Sequence, residues 1–299
     1  MPLFWYESNT LFDSRFCNQM ETLVTGGSGY LGTFVRQFFS ATDFSRRSFL
    51  DILDEEALGK IADYDAVIHL AAHFDKSPEG AAECFRTNAQ GTANVLRSMR
   101  PGSVFIYAST KDVYGSNASS EGEVGEDTST DYCGQSAFEW SKLIGERYVE
   151  YYARQKNIRA CIFRLSTVFA RPSEGNAPGI VTHYVESIKR RTPIRLPASG
   201  DPVRDFLYVD DFSRACRAFM DSKREFGLYN LGGGRLNSIS LRDLIQRIST
   251  MIEIEPMIEE DASLPLPVPL RYVSDITKIN KELDWKPWIG VDAGLRVLL

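Results

Sequence analysis

Thr25-Gly26-Gly27-Ser28-Gly29-Tyr30-Leu31-Gly32 is the stretch that decides how this chain is read. It follows a short β-branched run at 21–25 and opens a segment at 30–40 whose apolar residues recur at helical spacing. Strand, glycine-rich turn and helix in that order form a phosphate-binding unit. Gly26 permits the tight turn, Gly29 lets backbone approach a pyrophosphate, and Gly32 lets the helix pack closely on the sheet. The unpaired N–H groups of the helix start then face the phosphates. Glycines alone also serve ordinary turns; the placement between strand and helix selects the dinucleotide reading.

Outward from this unit, buried runs alternate with helices. Residues 66–70, 104–108 and 159–165 read as strands, and 78–97 and 136–155 as helices. Buried runs without polar alternation, each followed by a helix, predict an α/β fold: a doubly wound parallel sheet of Rossmann type. After Ala170 the elements shorten, punctuated by Pro172, Pro178, Pro193, Pro197 and Pro202, which predicts a smaller C-terminal substrate-binding lobe. The expected organisation is an N-terminal arm at 1–19 and an NAD(P)-binding domain at 20–170, with 204–235 returning to it. The substrate-binding lobe then comprises 171–203 and 236–299. The arm carries Leu3-Phe4-Trp5-Tyr6 but lacks the basic start, long apolar segment and cleavage site of a signal peptide. It reads as a segment packing on the body or on a second subunit.

Composition narrows the function classes. The 299 residues are 43% hydrophobic and 25% charged, which fits a globular protein and excludes disorder. With 34 basic against 40 acidic residues the net charge is −6, against a nucleic-acid-coating surface. No apolar run reaches the ~20 residues of a membrane span. Five scattered cysteines without a Cys-x-x-Cys pair, and three histidines without ligand spacing, predict no metal, no disulfide framework and a reducing, cytoplasmic setting.

The end of the second strand ordinarily reads the adenosine ribose, through an acidic residue for NAD or an arginine for the 2′-phosphate of NADP. Here Thr42-Asp43-Phe44-Ser45-Arg46-Arg47 leads to Leu50-Asp51-Ile52-Leu53-Asp54. Arg46 and Arg47 stand where a 2′-phosphate would lie and suit bidentate contact; the other reading is a surface turn with both facing water. The cofactor is read as NAD(P), leaning to NADP.

Six ordered motifs over about residues 20–290 resemble a single family. They are the G-x-x-G-x-x-G turn with Asp51-Ile52-Leu53-Asp54 and His69-Leu70-Ala71-Ala72, then Asn88-Ala89-Gln90-Gly91-Thr92, then Thr110-Lys111-Asp112-Val113-Tyr114-Gly115. Arg204-Asp205-Phe206, Tyr229-Asn230-Leu231-Gly232 and Asp275-Ile276-Thr277-Lys278 complete them. Together they resemble the extended short-chain dehydrogenase/reductases, the NAD-dependent epimerase/dehydratase family that modifies nucleotide sugars. The resemblance implies a nucleotide-diphosphate sugar as substrate, epimerase, dehydratase, decarboxylase or ketoreductase chemistry, and a homodimer through helices near 85–98 and 136–155. It implies that Gly26, Gly29, Tyr30 and Leu31 hold the pyrophosphate, that Asp51 and Ile52 sit by the adenine, and that Leu70, Ala71 and Ala72 pass along the cofactor. Asn88 joins this cofactor-binding set.

The family's chemistry uses a Ser/Thr, a Tyr and a Lys, the last two four residues apart on one helical face. Thr110 matches the first, orienting the reacting oxygen, and Lys142 the last, holding the nicotinamide ribose. At the tyrosine position stands Phe138, which has no proton to give, although such groups contribute roughly 10²–10⁴-fold. The nearest earlier tyrosine, Tyr132, is ten residues before the lysine. Three explanations stay open: an engineered Tyr→Phe variant, a natural enzyme with another acid/base, or a catalytically silent NADP-binding regulatory or scaffolding subunit. Asp112 is the candidate replacement, since dehydratase-like members carry a carboxylate there; its other reading is a loop residue bonding backbone. Lys111 stands where such members have a second acid, so that acid is absent.

Thr167, Arg204 and Arg271 are the candidate substrate ligands, the arginines for a diphosphate or, otherwise, as structural ion pairs. Ala170 replaces a glycine that the family often carries. It is expected to disturb a positive-φ turn and alter a substrate contact.

Overall fold

The strands are built from β-branched and aromatic residues that can be buried on both faces. In β4 (Val104–Thr110), Val104 and Ile106 face one core with Val24, Ile68 and Phe163, while Phe105 and Tyr107 face another with Leu23, Val67 and Ile162. The computed structural model describes residues 20–118, 122–264 and 269–299, so the expected N-terminal arm lies outside the described residues. Before β4 come β1 (Thr22–Thr25), α1 (Tyr30–Phe39), β2 (Thr42–Phe44), α2 (Glu55–Leu58) and β3 (Ala66–His69). α3 (Ala81–Cys84) and α4 (Thr92–Ser98) follow, joined by a π-helical stretch at Phe85–Gly91. After it come α5 (Ala137–Lys156), β5 (Arg159–Leu165), β6 (Thr167–Phe169), α6 (Ile180–Arg190), β7 (Ile194–Leu196), β8 (Val203–Tyr208) and α7 (Val209–Asp221). The chain ends with β9 (Phe226–Leu231), β10 (Ser238–Ser240), α8 (Leu241–Ile252), β11 (Ile258–Glu260), β12 (Arg271–Tyr272), α9 (Thr277–Leu283) and α10 (Val291–Leu298).

Six parallel strands lie in the order β2-β1-β3-β4-β5-β9, the expected doubly wound sheet. The chain leaves β1 toward β2 and then returns to the other side of β1 as β3. A crevice therefore opens at the carboxyl ends of β1 and β3, the topological switch point where such sheets bind ligands. A second sheet, β10-β8-β12 with β6 on β8, and the pair β7-β11 form the smaller C-terminal lobe. Of the segment expected to return to the main sheet, β9 does so, whereas β8 pairs in the second sheet.

Ala170 needs no glycine-like turn. It is fully buried and is not among the residues with positive φ. Its N–H donates to the Tyr30 hydroxyl (2.8 Å), and its carbonyl accepts from Tyr30 (2.9 Å) and Thr182 (3.0 Å). The expected strained turn is thus replaced by a backbone contact between the residue that follows β6 and the start of α1.

The helix α5 starts at a capping box of Ser136 and Glu139 and is held down by a closed polar network. Arg164 of β5 grips Glu146 through two bonds of 3.0 and 2.7 Å, Ser109 donates to the same carboxylate (2.5 Å), and Arg164 also donates to the Tyr114 hydroxyl (3.0 Å). Arg164 and Glu146 are both buried. Arg164→Met is expected to lower stability by about 3–5 kcal/mol, because it strands a buried carboxylate. Urea unfolding checks this, and adding Glu146→Leu should restore part of the loss.

Candidate functional site

Two cavities meet at Ala72, which lines both. The smaller, about 310 Å³, sits on the glycine-rich turn at the switch point and is lined by Gly26, Ser28, Gly29, Ser45, Arg46, Arg47, Asp51, Ile52, Leu70 and Ala71. Gly26 has φ +69°, and a Cβ there would lie 2.8 Å from the Ala71 nitrogen. At Gly32 a Cβ would lie 2.1 Å from the Gly26 carbonyl oxygen, so both positions exclude side chains. The N-terminus of α1 has no capping side chain and no acidic residue in its first turn, which leaves its positive end open.

Arg47 is exposed and donates to the Ser28 carbonyl (2.9 Å) and to the Gly175 carbonyl. Asn176 donates to the same Ser28 carbonyl (3.0 Å), so the loop after β6 leans over the glycine-rich turn. Arg46 is exposed on the same rim. Asp51 accepts from the Leu53 N–H (3.0 Å), and Ile52 is buried against the cavity.

The larger cavity, about 820 Å³, is lined by Tyr30, Leu31, Thr110, Lys111, Asp112, Phe138, Lys142, Thr167 and Arg204 among mainly apolar neighbours. The Thr110 hydroxyl accepts from the Asp112 N–H (3.2 Å), which leaves its own proton free to donate. Lys142 is buried, donates to the Ala108 carbonyl (2.8 Å) and lies 5.0 Å from the centre of the Tyr107 ring. Burial pushes its pKa down to about 8, against the opposing pull of Glu146. Phe138, 5% exposed, packs edge-on against Phe74 with ring centres 4.7 Å apart.

Asp112 lies between two lysines, accepting from Lys76 (2.8 Å) and from Lys111. Burial disfavours its charge, but Lys111 and Lys76 outweigh burial and hold the carboxyl well below the usual range. A carboxylate so held carries no proton near neutrality. Arg204 is buried and donates to the carbonyls of Val203 (2.6 Å), Leu270 (3.0 Å) and Pro269 (3.0 Å). Among the described residues no carboxylate pairs with it within salt-bridge distance, and burial lowers its pKa.

Several expected residues stand elsewhere. Asn88 is fully buried behind the groove: its amide donates to the His73 carbonyl and to Ser141 (both 2.9 Å) and its carbonyl accepts from the His73 N–H (2.7 Å). It holds the loop after β3 to α5 and lines neither cavity. The Tyr30 hydroxyl is engaged by Ala170, so only its ring faces the cavity. Arg271 lines a separate cavity with Gly122, Glu123 and Arg235. The reason is pairing: Tyr272 is opposite Arg204, and alternation turns the preceding residue to the other face of the sheet. Lys76, from the loop after β3, was not anticipated; nothing local marks a lysine 36 positions from its aspartate. His69, whose nitrogens meet Thr25 (2.8 Å) and Thr92 (3.0 Å), is a satisfied core residue. Among the described residues, no cluster of three or more His, Cys, Asp or Glu could hold a metal ion, and no helix is long and apolar enough to cross a membrane.

The pattern of the NAD dependent epimerase/dehydratase family matches residues 22–232. A probable dTDP-glucose 4,6-dehydratase of Sinorhizobium fredii is 26% identical, over 93% of this chain and 91% of its own length. MoeE5, solved with UDP-glucose and NAD, superposes with a TM-score of 0.81 at 20% identity, covering 93% of this chain and 97% of its own. A tyrosine-to-phenylalanine mutant of the Bacillus cereus UDP-glucuronic acid 4-epimerase, solved with UDP-4-deoxy-4-fluoro-glucuronic acid and NAD, gives 0.80 at 24% identity, covering 93% and 98%. At such identities the two structures testify to the fold.

The depressed Lys142 pKa has a consequence for stability. The amine falls from 10.5 to about 8 on folding, so below that pH the fold carries a disfavoured buried ammonium. Between the two values the unfolded chain binds more protons, and stability rises with pH, on the order of 1 kcal/mol per unit. Urea unfolding at several pH values should show this rise in the parent and its loss in Lys142→Met.

Proposed function

The chain belongs to the NAD-dependent epimerase/dehydratase family, and from that premise we propose that it is an enzyme acting on a nucleotide-diphosphate sugar with a nicotinamide dinucleotide. The observation that carries this reading is the sharing of one cavity wall by Thr110 and Lys142, beside the Ala72 opening to the glycine-rich turn. The residues fit a dinucleotide. The open positive end of α1 suits a pyrophosphate, the side-chain-free surfaces at Gly26 and Gly29 admit it closely, and Ile52, Leu70 and Ala71 offer apolar walls to an adenine. When bound, the nicotinamide supplies the hydride acceptor and donor.

Lys142 holds the ribose of that cofactor, and Thr110 donates to the reacting sugar oxygen. Arg204, a buried cation whose protein partners are carbonyls, takes the diphosphate, with Thr167 beside it on the wall. Phe138 keeps the shape of the acid/base position without its proton. A silent binding subunit is the second reading, favoured by the tight packing of Phe138 on Phe74. The four described cysteines are free, which suits a reducing cytoplasm. The exposed Tyr151 on α5 and Phe85 on the π-helical stretch support a homodimer through these helices, which light scattering at micromolar concentration would test.

The cofactor preference is for NADP. Ser45 rather than a carboxylate follows β2, and Arg46 and Arg47 rim the smaller cavity. Replacing both arginines by alanine is expected to weaken NADP about 10–100-fold and NAD little, by calorimetry. Equal weakening of both would remove the preference.

Turnover is tested with UDP-glucose, UDP-glucuronic acid and dTDP-glucose, each with NAD and NADP. Either the parent or Phe138→Tyr should turn over at least one of them, the restored phenol adding up to about 10²–10⁴-fold. If both bind dinucleotide and neither turns over any sugar, the silent reading replaces the enzymatic one.

A further inference from the structure

Among the described residues, five titratable side chains line the larger cavity: Tyr30, Lys111, Asp112, Lys142 and Arg204. Four are ill suited to exchange a proton with a sugar hydroxyl. The Tyr30 hydroxyl both donates to and accepts from the backbone of Ala170. Asp112 is bonded to Lys76 (2.8 Å), which keeps its own charge, so the carboxylate takes up no proton when Lys111 is neutral. Lys142 is bonded to the Ala108 carbonyl and assigned to the ribose. Arg204 is a guanidinium, which does not deprotonate in water.

Lys111 is different. It directly follows Thr110, its side chain is 11% exposed, and among the described residues its one polar partner is Asp112. Facing it are Arg204 across the cavity, Lys76 beyond Asp112, and the Tyr272 ring of β12 at 5.1 Å. Burial lowers its pKa; Asp112 opposes this, and Arg204 and Lys76 add to the lowering. Lys76 takes the other side of Asp112, reaches Glu139 (2.7 Å) and is 45% exposed. One carboxylate thus joins a buried amine in the cavity to a lysine at the solvent edge.

Resting on the function proposed above, we propose that Lys111 is the proton carrier of this site, in place of the phenol that Phe138 lacks. In the oxidising direction the hydroxyl O–H bond breaks and its proton forms an N–H bond on the neutral Lys111 amine. The hydrogen on the same carbon leaves with its electron pair to the oxidised dinucleotide, and the carbinol becomes a carbonyl. Reduction reverses each transfer. Asp112 and Lys76 are positioning residues that hold the amine toward the cavity.

Two measurements on the full chain decide this. Competitive acetylation across pH, read by mass spectrometry without ligand, should give Lys111 a titration midpoint below the lysine norm of about 10.4. A midpoint at or above it marks a locked ion pair and overturns the proposal. In turnover assays with the three nucleotide sugars, Lys111→Met and Lys111→Arg should each lose about 10²–10⁴-fold in kcat with KM nearly unchanged. Adding Phe138→Tyr to either should restore turnover. Arginine keeps the charge and the Asp112 contact, so activity retained in Lys111→Arg would overturn the proposal, as would failure of the rescue in a protein that still binds NADP. If no form turns over any sugar, the enzymatic reading fails by itself, and the acetylation midpoint still decides whether Lys111 can release a proton.

Discussion

The ion pair between Arg164 and Glu146 holds the rest of the site in place. Two buried charges are tolerable only when their hydrogen bonds are complete, and here the carboxylate receives two from the guanidinium and one from Ser109. Through Tyr114 the network continues to Asn230 on β9 (2.7 Å). It therefore fastens α5 to β4, to β5 and to the far strand of the sheet at once. Phe138, Lys142 and Glu146 follow one another at four-residue intervals on the same face of α5. Fixing the last of them against β5 aims the first two into the cavity. Gly145 permits the approach, since a Cβ there would fall 2.2 Å from the Tyr107 hydroxyl.

What could be read before folding was whatever depends on neighbours in sequence. The glycine-rich turn, the alternation of buried runs with helices, and the four-residue step from Phe138 to Lys142 are local patterns, and each appears in the structure where its spacing puts it. Arg271 and Asn88 were misplaced for the opposite reason. The face that Arg271 presents is set by which residue of β12 pairs with Arg204, a fact of register between segments 68 positions apart. Asn88 looked like a groove residue by motif, but a π-helical stretch and a loop beginning at His73 close around it. Ala170 is the clearest case: the missing glycine is immaterial because a tyrosine 140 positions earlier meets its backbone.

Charge in the larger cavity follows from the same long-range assembly. Among the described residues, Lys111, Lys142 and Arg204 face it with one carboxylate, Asp112, which is itself bound to Lys76 outside. Most of the remaining wall is apolar, so these charges act in a poorly screened space. A protein of net charge −6 thereby presents a locally cationic interior, suited to an anionic ligand that brings its own apolar or sugar surface.

One loop borders both cavities. Between β6 and α6 the chain passes Gly175 and Asn176, bonded to Arg47 and to the glycine-rich turn, and then Ala177, Pro178 and Gly179, which form a wall of the larger cavity. Arg47 faces the smaller cavity with the guanidinium that also holds this loop. An anion that drew on Arg47 would compete with the Gly175 carbonyl for the same guanidinium. Gly175 and Asn176 at the rim of the smaller cavity and Ala177, Pro178 and Gly179 in the wall of the larger are thus five consecutive residues of a single connection.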